Sequence, residues 1–481
     1  MRARILPLGI LFLFTLAIRS PGFGDPNYHV DEGFYLLVGH LISDGAVPYV
    51  DIWDRKPFGL FLIYLGAAQF GDGILAYQMM ASSSVFVTAA FICATARRVG
   101  TSAAGLLAGL VYVAALEPFA GGGGQAPVFY NSLIAGGAYL CARIALAPEH
   151  PESRWHALGA MLLCGTAITV KPTALFEGAA LGLFLVFIWW EKRGSGRRVV
   201  PVAAILAFVG ALPTLLILAA FGAAGLFDAY WFATVESVFL KTGQTWAVSM
   251  DKLAHLAPRL LPLIAVAAFG FAVMRPGTRL RTFMLFWLIG AAAGFLSVPN
   301  FWDHYALPLL VPLCVASAAA FARRRLGPVL ATALIASSLL WSGFPNADRT
   351  ARSQAGFSRL LGLIDAQPRP GCLFIFDGPP LANGRAARCT ATPYLFPEHL
   401  NNAAEAGAIG VDVSAEMQRI LASRPAIIVT AAPLDIIDQN SDTRAALNLV
   451  LAEEYILAGT ANIHDEARAR PVQVWHLQTR D

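Results

Sequence analysis

The sequence predicts a polytopic α-helical membrane protein that carries a small α/β domain at its C-terminal end. Three observations lead there. Of 481 residues, 57% are hydrophobic and only 14% charged, and the mean hydropathy is +0.59, whereas soluble domains carry about 25% charged residues. A chain so poor in charge cannot clothe itself in a soluble surface, so most of it belongs in lipid. Apolar runs of roughly 17 to 25 residues, enough to cross about 30 Å of hydrocarbon, recur as far as residue 343. Beyond that point short β-rich runs alternate with helical spacing.

The apolar runs fall at 5–20, 74–96, 102–118, 128–146, 156–171, 173–190, 199–223, 258–274, 282–298, 305–321 and 327–343, about eleven transmembrane helices. The first, "MRARILPLGILFLFTLAIRS", has the basic start and apolar centre of a secretory signal. No small-x-small cleavage site follows it, so it reads as a retained span. The run 57–70 ("PFGLFLIYLGAAQF") would make a twelfth. Charge argues against counting it, because Lys and Arg gather in cytoplasmic loops. With Arg2 and Arg4 inside, eleven spans put Arg97-Arg98, Arg154, "EKRGSGRR", "RPGTRLR" and Arg323-Arg324-Arg325 all in the cytoplasm. A twelfth crossing would send each of them outside. Residues 57–70 are therefore expected at the interface. The loops 21–73, 119–127, 224–257 and 298–304 and the tail then face the far side, the periplasm if the membrane is the inner membrane of a bacterium.

The tail holds three β-rich runs, "GCLFIFDG", "RPAIIVTA" and "RPVQVWHL". Between them "SRLLGLIDA", "SAEMQRILAS" and "TRAALNLVLAEEY" have helical spacing, an alternation that suggests a small α/β domain. The domains read as 1–343 (membrane region, first periplasmic loop 21–73) and 344–481 (periplasmic α/β domain). Cys93, Cys141, Cys164 and Cys314 fall in apolar runs and read as core residues. Cys372 and Cys389 share the oxidising compartment, where a disulfide between them is expected.

The stretch "HVDEGFYLLVGHLISDGAVPYVDIWDRKPFGLFLIYL" crowds Asp31, Glu32, Asp44, Asp51, Asp54, Arg55 and Lys56 among apolar residues. From Asp31 to Ser43 the apolar positions Phe34, Leu37, Val38, Leu41 and Ile42 share one helical side, which predicts an amphipathic helix flat on the membrane. An acidic pair there also suits a helix N-terminus without any further task. Lys171 in "ITVKPTALF" sits at the same level with no room for a proper loop, where a cation ordinarily has an anionic partner or snorkels to headgroups. "NFWDHYALPLLVP" adds Asp303, His304 and Tyr305. Acids, bases and cations on one membrane face suit proton removal from an attacking hydroxyl and stabilisation of charge on a departing phosphate.

At these residues the chain resembles the GT-C glycosyltransferases. The motifs are "HVDEGFY", "DRKPFGLFLIY", "VKPTALF" and "HYALPLLVP", in order over residues 5 to 343. They are similar to those of the bacterial relatives of protein O-mannosyltransferases and of the aminoarabinose transferase that modifies lipid A. The resemblance implies interfacial helices in the first periplasmic loop, a polyprenyl-phosphate-linked sugar as donor, and inverting transfer. It implies Asp31 as the general base, Glu32 as support for the loop, and Lys56 and Lys171 as cations for the lipid phosphate. Arg55 stands where related lipid A enzymes carry an acid, and Phe58 where many relatives have a second proline. The arginine suggests bidentate hold on phosphate, and no metal is expected, although relatives leave a divalent ion open. Asp54, Asp303, His304 and Tyr305 are further candidates for substrate contact.

"AGGGGQAPVFYNSL" lacks the Lys-Ser/Thr of a phosphate loop and reads as a flexible outside loop. Glu177 is expected to pair with Lys171. Residues 224–257, rich in aromatics and carrying Lys241, are a candidate wall for the acceptor. The acceptor could be a glycan, lipid A or core, or a protein. Membrane lipids are the other partner. The net charge of +4, spread over short loops, speaks for membrane orientation rather than nucleic acid. Three other readings compete: a noncatalytic scaffold whose C-terminal domain binds a partner, a polysaccharide polymerase or ligase using a diphosphate-linked donor, and a secondary transporter. The polymerase or ligase would rely on arginines and histidine in a large loop, not on an acidic pair in the first one. The transporter would hold its ionisable groups near the bilayer midplane.

Overall fold

The computed structural model describes residues 2–193, 196–367, 370–385, 389–431, 438–464 and 469–478. Residues 194 and 195 of the basic "EKRGSGRR" cluster lie outside them. All eleven apolar runs are helical, and among the described residues seven helices are long and apolar enough to cross a membrane. The protein is a multi-pass membrane protein. The others are shorter or less apolar: Ser102–Ala115 has 14 residues, and the run 305–321 divides into Leu307–Ala316 and Ala318–Phe321. Helix Phe58–Ala68 has 11 residues. At about 1.5 Å per residue it is too short to span, in keeping with the interfacial reading of 57–70.

The chain forms two compact units. The first comprises Met1–Pro21, Met79–Ala220 and Thr245–Pro345, and its core is apolar helix on helix. Helices Ala174–Arg193 and Arg279–Leu296 meet through Phe184 and Phe283, ring centroids 5.5 Å apart.

The second unit comprises Gly22–Gln78, Phe221–Gln244 and Asn346–Asp481. Its tail holds strands β1 (Leu373–Ile375), β2 (Ile427–Ala431), β3 (Tyr455–His464) and β4 (Ala469–Leu477), in sheet order β1-β2-β4-β3. β1 and β2 run parallel, and β4 is antiparallel to both its neighbours, with Ile428 opposite Trp475. Helices Ala347–Asp365, Val413–Ala422 and Ser441–Glu454 bury Leu360, Ile420 and Leu447. Helix Ala347–Asp365 lies so close to β3 that a Cβ on Gly356 would stand 2.1 Å from the Asn462 carbonyl oxygen. The sequence announces three strands and not β3. Helical spacing runs unbroken to Tyr455, where the backbone turns extended, and exposure along β3 does not alternate.

The first loop differs from expectation in one respect. Helix Val30–Ser43 buries Glu32 through Gly39 without a break, rather than offering an apolar stripe to a membrane. It packs on helix Phe58–Ala68 so tightly that a Cβ on Gly39 would lie 2.6 Å from the Tyr64 carbonyl oxygen. Of the apolar side found in the sequence, Phe34, Leu37 and Val38 are covered by protein, while Leu41 and Ile42 are half-buried.

Candidate active site

The acidic pair opens helix Val30–Ser43 for a local reason. His29 is the N-cap, and its Nδ1 accepts the Asp31 backbone N–H at 3.1 Å. That leaves the Asp31 carboxylate 3.8 Å from the same nitrogen, with 15% of its side chain exposed. A carboxylate in the first turn also meets the positive end of the helix dipole. Glu32 points the other way and is fully buried, beside Tyr64 and Tyr77. The two neighbours in sequence therefore have different surroundings, one reachable and one sealed.

The loop Trp53–Lys56 carries the other charges. Asp54 is 4% exposed. Its Oδ1 accepts the Lys56 backbone N–H at 2.7 Å, and its Oδ2 lies 3.4 Å from His399 Nε2. Burial alone would raise the Asp54 pKa. The His399 hydrogen bond and the Lys56 and Arg55 charges outweigh burial and hold it below the ordinary value. His399 moves down as well, because burial disfavours its charged form more than Asp54 favours it. The pair is thus an ionised carboxylate beside a neutral imidazole.

Lys56 sends its ammonium over the Tyr35 ring, 5.7 Å from the centroid, an attraction between cation and ring face. Burial, and after it the Asp31 charge, push the Tyr35 phenol well above its usual range, so it stays a neutral hydroxyl. Tyr35 therefore feels both Asp31 and Lys56. Glu398 is drawn upward by burial and next by the same Asp31 charge.

Arg55 does not offer its fork to an outside anion as the sequence suggests. Its two amino nitrogens bond Glu405 at 2.8 and 2.5 Å, and Lys241 Nζ reaches the same carboxylate at 2.6 Å. Burial would raise the Glu405 pKa, but the Arg55 bonds and the two positive charges hold it at about 2. Lys241, expected at an acceptor wall, is likewise engaged here.

Three acid–base residues of this unit, Glu398, His399 and Glu405, escape the sequence reading. They come from "PYLFPEHLNNAAEAG" in the tail. The only available signal was composition: ionisable residues crowded with aromatics behind Pro393 and Pro397, much as in the first loop.

Lys171, Asp303, His304 and Tyr305 belong to the first unit. Lys171 closes helix Ser153–Val170, and its ammonium sits 4.3 Å from the Tyr305 ring centroid. With Tyr130, Thr173, Glu177 and Phe295, Lys171 and Tyr305 line a cavity of about 420 Å³, mouth included. Glu177 Oε1 accepts the Trp287 indole N–H at 2.9 Å. Asp303 is held by both amino nitrogens of Arg259, at 2.8 and 2.9 Å, and His304 stacks edge-on to Tyr305.

The glycine loop is not the flexible segment its sequence suggests. Arg19, 4% exposed, donates to the Gly121 and Gly123 carbonyls, both at 2.7 Å, and to Ser82 Oγ at 2.9 Å. Cys372 and Cys389 form a disulfide, with Cα atoms 4.4 Å apart. Among the described residues no group of three or more His, Cys, Asp and Glu could hold a metal ion.

No family model matches the sequence, and no curated protein matches it. Solved structures do match in fold. ArnT from Cupriavidus metallidurans bound to undecaprenyl phosphate has a TM-score of 0.65 at 14% identity, covering 98% of this chain and 97% of that one. The same protein in the apo state gives 0.60 at 14% identity over the same shares. The oligosaccharyltransferase of Archaeoglobus fulgidus, in complex with zinc and sulfate, gives 0.52 at 11% identity over 96% of this chain and 73% of that one. At such identities the likeness speaks for fold alone, and along nearly its whole length this chain has the GT-C fold that those proteins share.

Proposed function

We propose that the protein is a membrane glycosyltransferase that takes a sugar from a polyprenyl-phosphate carrier and passes it to an acceptor hydroxyl, inverting the anomeric centre. One observation carries the reading. A reachable carboxylate at a helix N-terminus, Asp31, and an ammonium, Lys56, both act on the Tyr35 phenol. These are the two groups such a displacement needs. The acceptor oxygen attacks the anomeric carbon, its proton passes to Asp31, and the bond to the phosphate oxygen breaks. The charge left on the phosphate is met by Lys56. Glu32, sealed against Tyr64 and Tyr77, supports the loop instead of transferring a proton. Asp54 and Arg55 hold the loop that presents Lys56. Lys171, with Tyr305 in its own cavity, is assigned to an anionic group there.

The fold shared with ArnT, a protein crystallised with undecaprenyl phosphate, supports a lipid-phosphate partner. The basic clusters support a bacterial inner-membrane protein with the first loop and tail in the periplasm. The acceptor is a hydroxyl of a glycan, of lipid A or core, or of a protein.

The test is transfer from a panel of radiolabelled polyprenyl-phosphate sugars by membranes holding wild-type protein or Asp31→Asn. Transfer by the wild type that vanishes in the variant supports the reading. Equal transfer by both removes Asp31 as the base. No transfer from any donor by folded protein overturns the reading.

A further inference from the structure

One short segment of the tail reaches the loop Trp53–Lys56 at three successive residues. The Trp53 backbone N–H donates to the Pro393 carbonyl at 3.0 Å. Asp54 Oδ2 lies 3.4 Å from His399 Nε2. Arg55 makes its two bonds to Glu405. Glu398 of the segment also feels the Lys56 charge. The Lys56 backbone is held by the loop and the residues just before it, the N–H by Asp54 Oδ1 at 2.7 Å and the carbonyl by Tyr49 Oη at 2.9 Å.

Asp54 therefore bridges two partners with its two oxygens, His399 on one side and the Lys56 N–H on the other. It cannot turn to improve one bond without losing the other. His399, in its turn, has little freedom. Its ring stands 4.8 Å from Trp53, 5.4 Å from Phe396 and 6.3 Å from Phe34, centroid to centroid. It is 2% exposed. A ring so enclosed is a fixed donor, and a fixed donor fixes the carboxylate that sets the Lys56 backbone.

We propose that His399 is a positioning residue for Lys56, acting through Asp54. This is how the tail takes part in holding the phosphate. The inference rests on Lys56 meeting a lipid phosphate, as argued above. His399 is taken as a positioning residue and not a catalytic one, since among the described residues its ring nitrogen pairs with Asp54. Because the imidazole is neutral and the carboxylate ionised, the link is an N–H···O⁻ bond and does not depend on protonating His399 near neutral pH.

The experiment uses the full chain in lipid nanodiscs and two variants. His399→Phe keeps a ring in the aromatic enclosure and removes the donor. His399→Gln puts an amide N–H close to where Nε2 stands. The first readout is affinity for undecaprenyl phosphate, which needs no turnover. The second is KM and kcat for the polyprenyl-phosphate sugar that the wild type uses. His399→Phe is expected to weaken carrier binding and raise donor KM by about tenfold or more, since displacement of a binding group by about 1 Å can cost up to about a hundredfold. The acceptor KM should not move, and His399→Gln should recover most of the loss. Folded His399→Phe with wild-type carrier affinity overturns the proposal. So does an equal loss in both variants, or a loss shared by donor and acceptor, each of which marks a merely structural histidine. Wild-type protein that binds the carrier but transfers no sugar sinks the glycosyltransferase reading and leaves the binding comparison decisive. Wild-type protein that does not bind the carrier overturns both.

Discussion

The Arg55 guanidinium and the Glu405 carboxylate, 350 residues apart in sequence, meet fork to fork with two bonds at 2.8 and 2.5 Å. Glu405 is 2% exposed and also takes Lys241. Removing the carboxylate would leave two cations facing each other with little water. Glu405→Ala is expected to destabilise the second unit by about 3–5 kcal/mol, the usual cost of stranding a buried charge. The double variant Glu405→Ala/Arg55→Met should recover part of that. Thermal unfolding of the purified chain checks both, and a double variant no better than the single would show that the pairing is not the cause.

Acid should loosen this unit in two stages. His399 is held below its ordinary value of 6.5, so the folded state resists a proton that the unfolded chain accepts. That contribution is complete above about 6.5 and declines as pH falls below it. Asp54 is also held low, and Glu405 is held at about 2 against an ordinary 4.5. Their contribution is complete above the usual carboxylate range and is lost as pH falls through it toward about 2. The melting temperature should therefore begin to decline as pH falls below about 6.5 and decline further below about 4.5. His399→Gln should erase the first step alone.

Gly39 tests the helix contact beneath Asp31. A methyl group there would press on the Tyr64 backbone at 2.6 Å, which cannot yield as a flexible side chain would. Gly39→Ala is expected to cost about 1–3 kcal/mol by forcing the helices apart, and to reduce sugar transfer. Gly45 has open space at its Cβ position, so Gly45→Asn, which tolerates its positive φ, serves as the control that should change neither reading by much.

Arg19 tests the glycine loop of the first unit. Replacing it with Met leaves the Gly121 and Gly123 carbonyls without their donor, an expected loss of about 2–4 kcal/mol. Limited proteolysis is then expected to cut within residues 119–126 faster than in the wild type. An unchanged digestion pattern would mean the loop is held by its neighbours and not by the arginine.

The disulfide closes a stretch with a sequence separation of 17. Loop-closure entropy puts its contribution at about 3 kcal/mol. Cys372→Ser, or reduction of the wild type, should lower the melting temperature of the second unit. Thiols that alkylate in unreduced protein would disprove the bond.

What the sequence determined by itself were the features written in local periodicity and bulk composition. Apolar runs of spanning length became helices because a backbone in lipid must satisfy its own hydrogen bonds. The short run at 57–70 stayed too short to cross, and charge in the loops exposed that before any coordinates. Asp31 and Glu32 at a helix start, three of the four strands, and the Cys372–Cys389 pair were legible in the same way. Tertiary structure decided which of those charges are available. Nothing near Arg55 in sequence foretells Glu405, and nothing near Asp54 foretells His399. A carboxylate buried far along the chain gains its meaning only when folding removes water and leaves a cation as its best partner. The same holds for Arg19, which reads as one more terminal basic residue until the chain brings Gly121 and Gly123 to it. Local pattern shows where charge can gather. Only the packed chain decides which charges are consumed in holding one another and which are left to meet a substrate.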